Sequence, residues 1–155
     1  MLKISKNPYE NQLEIHYALR NKSEFHKYPT HMKTWNVKST TPYFYTFTIK
    51  DSEGFNDIYI ATAVYNSQKN ANELKLYKID NDKGALSETV KEISDIGITI
   101  PEKTTFSVQN LENKETKKGK LIIEAVKTIP SGTVSRTYFK PYENGEILKG
   151  KAMVV

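Results

Sequence analysis

The chain has no cysteine. That excludes a disulfide framework, a cysteine-ligated zinc site and a cysteine nucleophile, and it leaves the compartment open. Arginine is nearly missing too: only Arg20 and Arg136 stand among the 23 Lys and Arg residues. Readout of bases and phosphates leans on the bidentate arginine fork, so a nucleic-acid partner is not expected despite a formal net charge of +5. The lysines are spread along the chain, which reads as a solvated basic surface with at most weak attraction to an anionic surface or an acidic partner. No apolar run approaches the ~20 residues of a membrane-spanning helix. The opening MLKISKNPYENQ has no apolar h-region, so no signal peptide is expected, and the chain reads as cytoplasmic or exported without a visible leader.

Catalytic signatures are missing as well. There is no G-x-S-x-G elbow and no phosphate loop. Glu143 and Glu146 flank a tight turn rather than the cleft a glycosidase pair needs. His26 and His31 could share an ion with Glu24, but a metal site needs three or four convergent donors. Asp51, Glu53 and Asp57 sit in one acidic turn and Asp80, Asp82 and Glu88 in another. Neither has the calcium-loop spacing of an EF-hand, and turn formation accounts for both. The expectation is therefore no enzyme, no metal and no cofactor.

What the chain does have is β patterning. In Pro42–Lys50, Tyr43, Tyr45, Phe47 and Ile49 alternate with Phe44, Thr46 and Thr48. A polar turn leads to Ile58–Val64, where both faces carry apolar groups, so this strand is expected to be central and covered on both sides. Further strands are read at Leu2–Ser5, Gln12–Arg20, Thr34–Lys38, Glu73–Asp80, Thr104–Asn110, Lys120–Thr128, Thr133–Phe139 and Glu146–Val154. Gln12–Arg20 also allows a helix. In Glu73–Asp80 the apolar phase shifts between Leu76 and Tyr77, which suggests a bulge or an amphipathic edge. Leu86, Val90 and Ile93 have helical spacing behind Ser87 as N-cap, which predicts a two-turn helix near 87–95. The competing reading there is a strand over Glu88–Ser94 that pairs with Glu73–Asp80. Asn144-Gly145 reads as a type I′ hairpin turn. LYKIDNDKGALSE resembles the strand–turn–strand unit of lactonase-type β-propellers, but it occurs once and nothing else echoes it.

The expected fold is a single β-rich domain over 1–155: an antiparallel β-sandwich or flattened barrel of about nine strands with at most one short helix. Aromatic residues make up 11% of the chain, and Phe25, His26, Tyr28, His31, Met32 and Trp35 crowd into one stretch read as a loop. Such a loop either folds over an open end of the sandwich, with Phe25 and Trp35 as plugs, or forms an amphipathic recognition platform. The functional reading is a non-catalytic binding module for a carbohydrate or protein partner. Its ligand residues would be Phe25, His26, Tyr28, His31 and Trp35, joined by Arg136 and Tyr138. The alternatives are a membrane-active or toxin-associated β protein seated at an anionic lipid surface, or a structural subunit of a larger bacterial or phage assembly, in which case the chain would self-assemble.

Overall fold

The fold is built around a strand with no solvent face. In β5 (Asn56–Asn66) every residue from Asp57 to Val64 is buried. This run sits in a computed structural model that describes residues 2–7, 9–17, 33–93, 96–113 and 115–154. β5 pairs on one side with β4 (Tyr45–Lys50) and on the other with β6 (Ala71–Ile79). Two short strands, β9 (Lys91–Ile93) and β10 (Thr99–Pro101), share the far edge of β6 and complete a central sheet. The hairpin β7 (Asn81–Asp82) and β8 (Ala85–Leu86) lies between β6 and β9 in the chain.

One face of the central sheet is covered by an N-terminal meander of β1 (Leu2–Asn7), β2 (Gln12–Tyr17) and β3 (Lys33–Lys38). Leu13, Ile15, Trp35 and Val37 from the meander pack on Ile58, Ile60, Tyr77 and Ile79. The other face is covered by β11 (Thr105–Asn113), β12 (Lys118–Ile129) and β13 (Gly132–Glu143), with β14 (Glu146–Ile147) and β15 (Met153–Val154) added along β13. Here Tyr59, Ala61, Leu74 and Leu76 pack on Phe106, Leu121, Ile123 and Tyr138. Strand periodicity explains the split: in β5 even and odd residues point to opposite faces, and each face meets its own core. The central and C-terminal sheets are tied at both edges, by Asn110 Nδ2 donating to Thr48 O (3.2 Å) and by Ala152 N donating to Ile96 O (2.8 Å).

All strand pairs among the described residues are antiparallel, and all the regular structure there is β. Among the described residues nine strands have six residues or more, in line with the about nine read from the pattern, and the other six are ladders of two or three residues. The mainly β, sandwich-like fold stands.

Three local readings are corrected. The two-turn helix near 87–95 does not form. Ser87–Val90 is irregular, and Lys91–Ile93 pairs with Lys78–Leu76 as the competing strand reading required. An isolated two-turn helix is marginal, whereas a ladder on the open edge of β6 satisfies backbone groups on both strands. The suspected bulge in β6 is also absent, because its register with β5 runs unbroken from Ile79↔Ile58 to Ala71↔Asn66. The apparent phase shift arises because both faces of β6 are buried. Finally, Glu146–Val154 is two short ladders rather than one strand.

Gln12–Tyr17 is strand, as favoured, and 18–20 lie outside the described residues. Asn144 and Gly145 both have positive φ (52° and 80°), as a type I′ turn demands. Gly145 is needed there for a second reason. A Cβ would stand 2.5 Å from the Asp51 Cα, so the turn can close against the β4–β5 turn only without a side chain.

Candidate binding groove

The two described aromatics of the expected recognition platform, Trp35 and Tyr138, lie in separate cores. Phe25, His26, Tyr28 and His31 lie outside the described residues. Trp35 is a core residue, 4% exposed, wedged between the meander and the central sheet, and its Nε1–H donates to the Ser87 carbonyl at 3.0 Å. Tyr138 is buried in the other core, on the far side of the central sheet. Both occupy inward positions of strands whose alternation puts every second residue in a core, and a large aromatic there fills space. Arg136 is exposed on β13 opposite Ala125. An exposed Trp35 and a partnership of Trp35 with Tyr138 are thus overturned.

The acidic turns hold the backbone. Asp51 Oδ1 accepts from Glu53 N and Phe55 N, both at 2.9 Å. Asp57 is buried, accepts from Asn81 N at 2.7 Å, and stands 3.6 Å from Lys78 Nζ. Lys78 also lies 3.3 Å from Asp80, which pairs with Lys91 at 2.7 Å. Burial acts against the charged forms of Lys78 and Asp80. Their pairing outweighs it, so the Lys78 pKa is raised and that of Asp80 lowered. Among the described residues no three His, Asp or Glu side chains converge as a metal site would need.

Beside this network the Tyr59 hydroxyl is fully buried with no partner in hydrogen-bond geometry among the described residues, and the Lys78 ammonium stands 5.8 Å from the ring centroid. Removing an unsatisfied buried hydroxyl should be neutral or stabilising by about 1 kcal/mol at neutral pH. Chemical denaturation of Tyr59→Phe measures this. A loss of more than about 2 kcal/mol would mean that the hydroxyl has a strong partner.

A groove forms where the meander stops short of covering the central sheet. Tyr77 marks the end of the covered part, and its hydroxyl donates to the Lys38 carbonyl at 3.0 Å. Beyond it Lys75 and Glu73 continue the same face of β6 into solvent. The walls are Asn36–Lys38 of β3, the β5–β6 turn with Tyr65, Asn66 and Gln68, and Val90 with Glu92. The open space is about 700 Å³.

Along its floor run paired ions, Glu73 with Lys75 at 3.6 Å and Lys75 with Glu92 at 3.1 Å, and Lys69, outside the lining, extends the ladder by pairing with Glu73 at 2.9 Å. Asn66 Nδ2 adds a bond to Glu73 at 3.1 Å. The Lys69 hydrogen bond leads in holding the Glu73 carboxyl below its usual pKa. At the lip, Tyr65 is 39% exposed. It is held by its backbone N–H to Thr40 Oγ1 (2.6 Å) and by its hydroxyl to Asn70 Oδ1 (3.1 Å). The arrangement offers fixed donors and acceptors of both signs in a groove that Tyr65 helps to line.

Sequence reasoning missed this groove because its residues come from separate segments: 36–38 and 73–77 in two expected strands, 64–68 at the end of the central strand and in the polar stretch after it, and 90–92 in the expected helix. The one available signal was Tyr65, an aromatic carried past the buried run into the polar stretch that follows it. No protein-family model, curated protein or solved structure matches the chain.

Proposed function

We propose that the protein is a non-catalytic binding module that takes a carbohydrate in the groove between β3, the β5–β6 turn and β9. The observation that supports this is the Lys69–Glu73–Lys75–Glu92 ladder lying beside a half-exposed, anchored Tyr65. A sugar ring presents hydroxyls, each both donor and acceptor, and an apolar C–H face. Carboxylates and ammonium groups in register serve the hydroxyls with charge-assisted bonds, and a tyrosine ring serves the C–H face. Glu73 favours binding over acid catalysis: a general acid needs a raised pKa, and Lys69 pushes this one down. The role of Phe25, His26, Tyr28 and His31 in holding the same ligand stays part of the proposal.

The test is a panel of neutral and acidic oligosaccharides, screened by glycan array and followed by titration with amide chemical-shift mapping. Binding should perturb Tyr65, Gln68 and Glu92. Tyr65→Ala should weaken binding about five- to tenfold, the value of one aromatic contact, while stability shifts by no more than about 0.5 kcal/mol. A blank array, or shifts confined to residues outside the groove, would sink the reading.

A further inference from the structure

The two outermost sheet faces differ in kind. The outward face of the meander is polar, with Lys3, Ser5, Glu14, His16, Thr34 and Asn36. The outward face of the C-terminal sheet carries Leu111, Ile122, Val126, Phe139, Pro141 and Met153 in adjoining registers. Leu111 is 48% exposed and Met153 56%. A sheet layer with one face in water ordinarily alternates apolar inside and polar outside, and an exposed apolar face marks an interaction surface.

Charge on this face identifies the occupant. Residues 101–155 hold ten Lys and Arg against six Glu and no Asp, a net of +4. The outward positions of β11, β12 and β13 nevertheless carry Lys118 and Lys120 against Glu124 and Glu143, with no net charge. Lys118 already lies 3.9 Å from Glu143. Lys120 leans across the Phe139 ring, its Nζ 4.7 Å from the centroid, so its ammonium stands over the apolar rows. A layer packed about 10 Å above would bury that ammonium, which requires a carboxylate from the covering molecule. On β12 the order Lys120, Ile122, Glu124 is symmetric in position and opposite in sign about Ile122.

We propose that this face joins two copies of the chain, with a two-fold axis along the row Gln109, Ile122, Phe139 and Met153. That axis lays Ile122, Phe139 and Met153 on their own counterparts. It sets Lys120 against Glu124 of the partner subunit, twice per dimer, as an isologous contact requires. The face thereby supplies both its own apolar cover and its own counter-charge.

Sedimentation velocity of the full chain from about 5 µM to about 1 mM tests this, over the range expected for a sheet-face contact of modest size. The mass should rise from monomer to dimer. Lys120→Glu and Glu124→Lys should each weaken association at least tenfold. The double variant K120E/E124K should return to within about threefold of the parent, because the swap restores both pairs. All the substituted positions lie on the outward face, and thermal melts should coincide with the parent. A chain that stays monomeric throughout overturns the proposal and leaves the face to a different partner. So does a dimer that ignores the single substitutions, or a double variant no better than the singles.

Discussion

Trp35→Ala should destabilise the protein by about 3–5 kcal/mol, a large part of the stability usual for a folded protein. The side chain is 4% exposed among Leu13, Ile15, Val37 and Ile60, and its removal opens a cavity between the meander and the central sheet. It also strips the Ser87 carbonyl of its indole donor, whose bond measures 3.0 Å. That bond ties β3 to the connection after β8, so two elements loosen together. The measurement is urea unfolding of parent and variant. Trp35 is the only tryptophan, and its emission in the parent should be blue-shifted and resistant to iodide. Red-shifted, quenchable emission with a loss under about 1 kcal/mol would return Trp35 to the surface as a recognition residue.

Stability should fall steeply between pH 10 and 12. Burial pushes the Tyr59 and Tyr77 phenols up to about 12, from an ordinary value near 10. A raised folded-state pKa means that the folded chain holds these protons after the unfolded chain has lost them. The contribution is fully present below pH 10 and is lost as the pH climbs through 12. A difference of about two pH units corresponds to about 2–3 kcal/mol for each phenol. Two further groups act in the same direction: Tyr142, raised chiefly by burial, and Lys78, whose deprotonation takes the cation from beside buried Asp57 and leaves Asp80 with Lys91. Denaturant titrations at pH 8, 10 and 11.5 should show the decline, and the double variant Tyr59→Phe with Tyr77→Phe should flatten most of it. A parent whose stability holds to pH 12, or a double variant that declines as steeply, would show that these phenols ionise freely.

The sequence by itself determined the long strands and the centrality of β5. Apolar groups on both faces of Ile58–Val64 can be satisfied only by cover on both sides, and the structure buries that run completely. Asn144-Gly145 determined its own turn, because two successive positive φ angles exclude most other residue pairs. These are local matters of periodicity and sterics. Which partner each face meets is not local. The apolar doublet Leu76-Tyr77 in β6 read as a bulge or an amphipathic edge until both neighbouring layers were in place. The segment after Leu86 became a strand because β6 had an open edge to offer, which helical spacing cannot foresee.

The site followed the same rule. Aromatic density in the sequence pointed to the stretch that ends in Trp35, with Tyr138 joined to it, yet an aromatic on a strand is placed by the face it falls on, and both of these fell inward. The groove exists because a three-stranded meander lies over a longer central sheet and leaves Glu73 and Lys75 uncovered. Its lining brings residues 36–38 together with 65–68 and 90–92. Only the tertiary structure decided that meeting, since it depends on how far one layer overlaps the next, and no single strand's pattern encodes that distance.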